Sequence, residues 1–303
     1  MTVILEYESG SITASLARSQ KVLVNHVSFQ LTTGETLALI GETGSGKTMI
    51  ALSIMKLLPA NVKMHGGKLN FAGRDLLATR NLKKILGVEI VYIPQNGLEF
   101  LNPSKRVMYH LYDSLKKLGL RGKEVEETAL QKLRLVGFSN PEEIMVKYPF
   151  QLSGGMAQRV TIAIAACSRA KLVIADEPTN GLDQEAKVQF MEMLKKLFPE
   201  AAKLIITHDI AVAELCEKTL VLCGGNMMEK GPSTEILGAP RQPYTKALIA
   251  ALVKNGMHPT PTLRPDSGAC PFFRKCADCM EQCKHEMAHH IAGDREWWCN
   301  QSL

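Results

Sequence analysis

The chain has 303 residues, of which 46% are hydrophobic and 22% charged. These values exclude wholesale disorder, a collagen-like repeat and a disulfide-stapled mini-protein. The length predicts one principal domain of roughly 200–250 residues with an appendage. No stretch approaches the ~18 consecutive apolar residues of a membrane-spanning helix, and the N-terminus lacks the pattern of a secretory signal. We therefore expect a soluble, cytoplasmic chain.

Charge and cysteine are unevenly distributed along the chain. The 36 basic and 30 acidic side chains leave a net charge of +6, and the whole excess lies within residues 62–150. Acidic residues are interspersed there, so a solvated helical face is favoured over a nucleic-acid or lipid surface. Five of the eight cysteines lie after residue 269. In a chain without a predicted signal, this clustering favours a metal or a cluster over disulfides.

Apolar runs alternate with helical spacing, which predicts an α/β core with a helical insert near residues 97–150. The predicted strands cover residues 36–40, 88–93, 172–175 and 204–207. The predicted helices cover about 47–57, 105–140 and 244–254. Three prolines after the last helix (Pro259, Pro261 and Pro265) predict a linker into the cysteine-rich end.

The first motif is a glycine-rich loop between the strand at 36–40 and the helix that follows it. It matches G-x-x-x-x-G-K-[ST] and consists of Gly41, Glu42, Thr43, Gly44, Ser45, Gly46, Lys47 and Thr48. Such a loop directs backbone N–H groups and a helix N-terminus at phosphate oxygens. Lys47 can reach the β- and γ-phosphates, and the Thr48 hydroxyl can bind Mg²⁺. The motif predicts binding of a nucleoside triphosphate.

The second motif is a pair of carboxylates, Asp176 and Glu177, at the end of the buried strand at 172–175. By itself such a pair is more often a turn. Together with a phosphate loop, Asp176 is expected to coordinate Mg²⁺ and Glu177 to orient or deprotonate the attacking water.

The third motif is the run from Ser153, Gly154 and Gly155 to Gln158 and Arg159. Ser153 is a good N-cap for a helix after it, so the run predicts a second helix start that can bind an anion. Alone it would be an ordinary capped helix. In the order phosphate loop, helical insert, this run and the carboxylate pair, it resembles the ATP-binding subunit of an ABC transporter.

This resemblance covers roughly residues 20–250 and implies further site residues. Gln95 matches the glutamine that touches the metal and relays to the membrane subunits. Asp183 matches the loop that crosses to the partner nucleotide domain, and His208 matches the histidine that contacts the γ-phosphate. Each has a simpler interpretation: Gln95 as a loop residue, Asp183 as an N-cap and His208 as a helix cap. The aromatic residue on which the family stacks adenine is missing from residues 15–21, and Tyr7 lies far upstream.

The resemblance also implies an organisation of the chain. We expect an α/β P-loop NTPase (ABC ATPase) core of residues 1–96 and 151–230, with a helical signalling subdomain of residues 97–150. Residues 231–303 are expected to be a C-terminal extension with a cysteine-rich tail from about residue 265.

Three stretches are similar to the peptide and nickel importer class of this family. They begin at Leu101, Tyr148 and Pro240 and read Leu-Asn-Pro, Tyr-Pro-Phe-Gln and Pro-Arg-Gln-Pro-Tyr-Thr. The class implies an ATPase at the cytoplasmic face of the membrane, with a second ATP-binding subunit in a heterodimer or homodimer. Two transmembrane permease subunits and an extracellular solute-binding protein complete the system, and no nucleic acid is involved. The stretches leave peptide, nickel and metal chelate open as solutes.

The cysteine spacing resembles the tail of peptide-importer ATPases, some of which hold a [4Fe–4S] cluster. Cys270, Cys276, Cys283 and Cys299 match that pattern, and Cys279 is an additional thiol. Four thiolates can hold a cluster or a zinc ion, and spacing does not choose between them. Two alternative functions stay open: a soluble ABC-type ATPase acting on nucleic acid or ribosomes, and a tail that senses metal or redox state and controls the ATPase.

Overall fold

The computed structural model describes residues 2–17, 19–80, 82–252, 255 and 269–301. Its strands are β1 Val3–Leu16, β2 Ser19–Thr32, β3 Thr36–Ile40, β4 Val62–His65, β5 Lys68–Phe71, β6 Arg74–Asp75, β7 Ile90–Ile93, β8 Leu172–Asp176, β9 Ala202–Thr207, β10 Lys218–Cys223, β11 Asn226–Pro232, β12 His289–Ala292 and β13 Arg295–Trp298.

The helices alternate with these strands through the central part of the chain. They are α1 Lys47–Ile54, α2 Gly97–Phe100, α3 Val107–Lys117, α4 Lys123–Leu135, α5 Pro141–Val146, α6 Gly154–Ala166, α7 Gln184–Leu197, α8 Ile210–Ala213, α9 Ser233–Gly238 and α10 Pro243–Ala250. None of the helices in the described part of the chain combines the length and apolarity needed to cross a membrane.

The chain forms two compact units. The first consists of Met1–Ile4, Thr32–Glu35 and Ala78–Ile205, and it contains helices α2–α7. Strands β9, β8 and β7 are neighbours in its sheet, and β7 runs parallel to β8 with Ile90 opposite Leu172. Every residue of β8 is buried. This burial explains why the strand is a continuous apolar run until its final aspartate.

Helices α3 and α4 confirm the helical spacing predicted for residues 105–140. The buried side chains of α3 are Val107, Leu111 and Leu115, and those of α4 are Val125, Ala129 and Leu133. Their four-residue spacing places each set on one helix face. The two helices contact each other, and α4 also contacts α6. The insert therefore packs within the first unit through regularly spaced apolar residues.

The second unit consists of Leu5–Leu31, Thr36–Leu77 and Ile206–Leu303, and it contains two sheets. One sheet has the order β2-β1-β5-β6, with β4 also paired to β1. In the other, the strands of this unit follow the order β12-β13-β11-β10-β3. Strand β10 runs parallel to β3, and β11, β13 and β12 continue the sheet with antiparallel pairing. The cysteine-rich end thus contributes a strand to the sheet that carries the phosphate loop.

Several predicted boundaries need correction. Helix α1 ends at Ile54 instead of residue 57, β7 begins at Ile90 instead of 88, and α10 ends at Ala250 instead of 254. The predicted linker prolines lie outside the described residues. The strands β1, β2 and β4–β6 lie outside the predicted elements, and their pairing joins residues up to 66 positions apart, as between Leu5 and Phe71. Such pairing depends on partners that local patterns do not identify.

A buried ion pair joins the C-terminal hairpin to the rest of its unit. The Arg295 Nε atom of β13 donates to Glu229 Oε1 of β11 at 3.0 Å. The two side chains are only 6% and 0% exposed. Glu229 also accepts hydrogen bonds from the backbone N–H groups of Arg241 and Gln242. The carboxylate therefore organises the chain segment that leads into α10.

We expect Arg295→Met to destabilise this region by about 3–5 kcal/mol, because it leaves the Glu229 carboxylate buried without its counter-charge. Both tryptophans of the chain, Trp297 and Trp298, lie on β13. Their fluorescence during urea unfolding reports the change directly. The control is Lys284→Met, which removes an exposed ion pair with Glu281 and should leave the unfolding midpoint nearly unchanged. Equal effects of the two substitutions would contradict the prediction.

Candidate nucleotide-binding site

The phosphate loop of residues 41–48 connects β3 to α1 in the second unit. Gly41 and Gly46 have φ angles of +149° and +98°, which favour glycine. A Cβ atom would lie 2.1 Å from Leu222 O at Gly41 and 2.6 Å from Leu23 O at Gly46. The backbone path of the loop therefore requires glycine at both positions.

Lys47 folds back over this loop. Its Nζ atom donates to Gly41 O at 2.8 Å and to Glu42 O at 3.0 Å. The Glu42 carbonyl also accepts the Ser45 N–H at 3.1 Å. These contacts hold an ammonium group, which can bind phosphate oxygens, at the centre of the loop.

The residues of the loop fit a triphosphate with Mg²⁺. Gly46 precedes α1 and has no side chain to cap the first helical turn, so the N–H groups of that turn can donate to an anion. A Cβ at Gly44 would meet no atom of the described residues within 4 Å. The Ser45 Oγ atom is buried without a hydrogen-bond partner among those residues. Thr48 is exposed at the second helical position, where its hydroxyl can bind the metal.

The carboxylate pair lies at the carboxyl end of β8 in the first unit. Asp176 is 6% exposed, and its Oδ2 atom accepts a hydrogen bond from the Tyr92 hydroxyl at 3.2 Å. Burial raises the pKa of Tyr92 most, and the nearby Asp176 charge raises it further. The Tyr92 hydroxyl therefore keeps its proton and remains a hydrogen-bond donor. Glu177 has a φ angle of +48°. A left-handed glutamate is uncommon, and strained backbone of this kind concentrates at functional sites.

The serine–glycine run begins α6 in the same unit. Ser153 is the N-cap, and its Oγ atom accepts the Met156 N–H at 3.3 Å. Gly154 and Gly155 are exposed, and a Cβ at either would meet no described atom within 4 Å beyond their own helix. Packing within this chain therefore does not explain why glycines stand here.

The remaining predicted site residues follow strands or begin helices. Gln95 is exposed two residues after β7. Asp183 caps α7, and its Oδ1 atom accepts the Ala186 N–H at 2.8 Å. His208 is exposed directly after β9. The cap of α8 is Asp209, whose Oδ1 accepts the Ala211 N–H, so His208 is not a helix cap.

The environment of Tyr7 shows that this ring is not accessible for stacking on a base. It is fully buried and stacks on Phe29 with ring centroids 5.2 Å apart. Leu16, at the end of β1, is 52% exposed. The stretch before the phosphate loop thus presents an aliphatic side chain instead of the family's aromatic one.

The cysteine-rich end brings four thiols together around one small cavity. Cys270, Cys276, Cys283 and Cys299 all line it, whereas Cys279 is exposed. Within the described residues, however, no group of three or more metal-ligating side chains has the spacing needed to hold a metal ion. Burial raises the pKa of Cys270 to about 12. The predicted metal site is therefore not formed in this structure.

Two tyrosines in contact with this machinery lay outside the predicted site. Tyr92 holds Asp176, and the Tyr244 hydroxyl accepts the Glu42 N–H of the phosphate loop at 3.1 Å. Tyr244 belongs to the Pro-Arg-Gln-Pro-Tyr-Thr stretch, which indicated an importer class but no role. For Tyr244, the available sequence signal was its position two residues after Gln242, a polar side chain that can cap a helix.

Two family profiles match this chain. Residues 24–180 match the ABC transporter profile, and residues 228–283 match the profile of the C-terminal region of oligopeptide/dipeptide transporters. The chain is 37% identical to the dipeptide transport ATP-binding protein DppD of Caldanaerobacter subterraneus, covering 89% of this chain and 87% of that protein. It is 36% identical to the Haemophilus influenzae protein of the same name, covering 92% and 90%.

Solved structures agree with this assignment. A dimeric ATP-binding cassette in a post-hydrolysis state, bound to ADP and phosphate, superimposes with a TM-score of 0.68 at 25% identity over 76% of this chain and 99% of that chain. The expected P-loop fold of an ABC ATPase is thereby confirmed. With the phosphate loop, the carboxylate pair and the family profiles all in agreement, the chain belongs to the ABC transporter family as one of its ATP-hydrolysing subunits.

Proposed function

We propose that this subunit powers the import of dipeptides or oligopeptides, and not of nickel or a metal chelate. The observation that carries the proposal is the match of residues 228–283 to the C-terminal region of oligopeptide/dipeptide transporters. The relatives named above are dipeptide transport proteins and align over about nine-tenths of the chain. These matches favour transport over the alternative of a soluble ATPase acting on nucleic acid or ribosomes.

The site residues have distinct proposed roles. Lys47 and the loop N–H groups other than that of Glu42 would bind the phosphates, and Thr48, Gln95 and Asp176 would hold Mg²⁺, which neutralises phosphate charge when bound. Glu177 accepts the proton of the attacking water. His208 contacts the γ-phosphate. The hydrogen bond from Tyr92 supports the Asp176 role, because it holds the carboxylate in place at the end of β8.

Ser153, Gly154 and Gly155 are proposed to contact ATP held by a second ATP-binding subunit, and Asp183 to reach across the same interface. The open space beside the two glycines supports this role, since a phosphate group of a partner-bound nucleotide could approach the helix start closely. The similarity to a dimeric cassette supports pairing of two such subunits. The proposal covers both a heterodimer and a homodimer.

The membrane subunits are proposed to dock on the helical part of the first unit, residues 97–150. This part exposes three large aromatic side chains: Phe150 at 74%, Phe100 at 50% and Tyr109 at 49%. Aromatic residues are enriched at protein–protein interfaces relative to the rest of the surface. Two permease subunits bound there would place this chain at the cytoplasmic face of the membrane, and an extracellular binding protein would deliver the solute.

Transport in a reconstituted system tests the solute. The chain is co-purified with the permease subunits and binding protein of its system, and proteoliposomes are supplied with ATP and with a radiolabelled dipeptide, oligopeptide or nickel. We expect ATP-dependent uptake of peptide and none of nickel. Uptake of nickel alone, or ATPase activity stimulated by nucleic acid in place of the binding protein, would overturn the proposal.

A second proposal concerns the four thiols that line one cavity, Cys270, Cys276, Cys283 and Cys299. We propose that they draw together around a [4Fe–4S] cluster or a zinc ion, whose binding energy would stabilise this small region. Metal binding requires the thiols to lose their protons, and the raised pKa of Cys270 opposes this loss. A rising pH should therefore favour metal loading. This metal would be structural.

Anaerobic purification with metal analysis tests the metal proposal. About four irons per chain with a brown colour would indicate the cluster, and one zinc in a colourless protein would indicate the alternative. We expect the content to fall in Cys283→Ser and to persist in Cys279→Ser, because Cys283 is buried at the cavity and Cys279 is exposed. Metal-free protein after anaerobic preparation would refute both forms.

A further inference from the structure

The phosphate loop is contacted by a residue that lies about two hundred positions downstream in the chain. Tyr244 is 2% exposed, and its hydroxyl oxygen accepts the backbone N–H of Glu42 at 3.1 Å. This hydrogen bond ties a buried side chain to the backbone of the phosphate loop, and a buried polar group keeps the partner that satisfies it.

The peptide group that Tyr244 contacts is central to the shape of the loop. The Glu42 carbonyl accepts the Ser45 N–H at 3.1 Å and the Lys47 Nζ donor at 3.0 Å. A shift of Glu42 would therefore move both the lysine and the turn that leads into α1. The Glu42 N–H is bonded to Tyr244 and is not one of the donors available to phosphate.

Tyr244 is itself held by the start of α10. The Gln242 side chain caps this helix by accepting the N–H groups of Tyr244 and Thr245, and Pro243 at the first helical position supplies a compatible φ angle. The Gln242 N–H donates to the buried Glu229 carboxylate, which is paired with Arg295. The Pro-Arg-Gln-Pro-Tyr-Thr stretch thus holds the Tyr244 side chain in place.

The cysteine-rich end packs against the same tyrosine. The Phe272 ring lies edge-on to the Tyr244 ring, with centroids 5.4 Å apart, and is 4% exposed. Lys275 is three residues further on, and its Nζ atom lies 3.9 Å from the Glu42 Oε1 atom. The region around the four thiols therefore contacts Tyr244 through the Phe272 ring and the phosphate loop through the Lys275–Glu42 ion pair.

We propose that Tyr244 is a positioning residue for the phosphate loop, and that the cysteine-rich segment of residues 269–301 tunes the nucleotide affinity of the loop by supporting Tyr244. Tyr244 acts on ATP only through the Glu42 peptide. A loss of order in the cysteine-rich segment would release Phe272, loosen the tyrosine and weaken nucleotide binding. The inference rests on ATP binding alone and is independent of the transported solute.

The test uses the full chain and three variants. Tyr244→Phe removes the hydroxyl and keeps the ring, Phe272→Leu removes the ring contact of the segment, and Thr245→Val is the matched control. The Thr245 hydroxyl is buried without a hydrogen-bond partner in the described part of the chain, so its loss should not affect the loop. Binding of a non-hydrolysable Mg–ATP analogue is measured by calorimetry, and folding by thermal melting.

We expect Tyr244→Phe to weaken nucleotide binding about two- to tenfold, the effect of losing one buried hydrogen bond. Phe272→Leu should weaken binding by a smaller factor, and Thr245→Val should leave it unchanged. A purely structural role would lower the melting temperature of Tyr244→Phe with unchanged affinity, which would overturn the proposal. Unchanged affinity in Phe272→Leu alone would remove the role of the cysteine-rich segment.

Hydrogen exchange gives a second readout, and its first part needs only the parent protein. In the parent protein the Glu42 amide should be protected, because its hydrogen bond is to a buried hydroxyl. In Tyr244→Phe it should exchange faster, while amides of α6 keep their parent rates. A Glu42 amide that exchanges freely in the parent protein would overturn the proposal even if Tyr244→Phe failed to fold.

Discussion

Glu177→Gln in the assembled transporter is expected to reduce ATP hydrolysis at least about a hundredfold while ATP binding stays at the parent level. The substitution keeps the size and most contacts of the side chain but removes its ability to take a proton, and general bases contribute about 10²–10⁴ in rate. Phosphate release and nucleotide binding are measured on the same preparation. The effect should therefore appear in kcat and not in the affinity for ATP.

The position of Glu177 explains why its effect should exceed that of other acidic residues. It follows Asp176 at the end of a fully buried strand and has a φ angle of +48°, a backbone state that a glutamate adopts only when the surroundings impose it. The control is Glu185→Gln in the first turn of α7, whose exposed carboxylate accepts a hydrogen bond from the Gln189 side chain. Parent-like hydrolysis by Glu177→Gln, or an equal loss in the control, would refute the role as base.

Lys47→Ala is expected to weaken ATP binding about ten- to a hundredfold, the range of one to two charge-assisted hydrogen bonds. Lys47 is only 7% exposed, and its ammonium group lies on the Gly41 and Glu42 carbonyls. Alanine removes the cation that would meet the β- and γ-phosphates and also loosens the loop. Calorimetric titration with Mg–ATP measures the change directly.

The control for Lys47→Ala is Lys63→Ala at an exposed position of β4, which removes the same charge from the same unit. It should leave nucleotide affinity unchanged and exclude a general effect of net charge. Unaltered ATP affinity in Lys47→Ala, with a normally folded protein, would contradict the assignment of the phosphate loop.

Local patterns were sufficient for the elements whose chemistry is local. The phosphate loop could be predicted because Gly41 and Gly46 adopt positive φ angles next to a strand and a helix. The start of α6 could be predicted because Ser153 is a strong N-cap. Helices α3 and α4 followed from four-residue apolar spacing, since one face of each packs inward. In these cases the structural role of each residue depends on neighbours within a few positions along the chain.

Contacts between segments that are distant in the chain were decided only by the tertiary structure. The Tyr92–Asp176 and Tyr244–Glu42 hydrogen bonds join residues 84 and 202 positions apart. The pairing of β11 with β13 places Arg295 on Glu229, and the four-cysteine cavity has a geometry that spacing did not reveal. Sequence periodicity reports which face of an element is buried, but not which segment covers it. That choice is made by packing and by satisfying buried polar groups, and both depend on the whole folded chain.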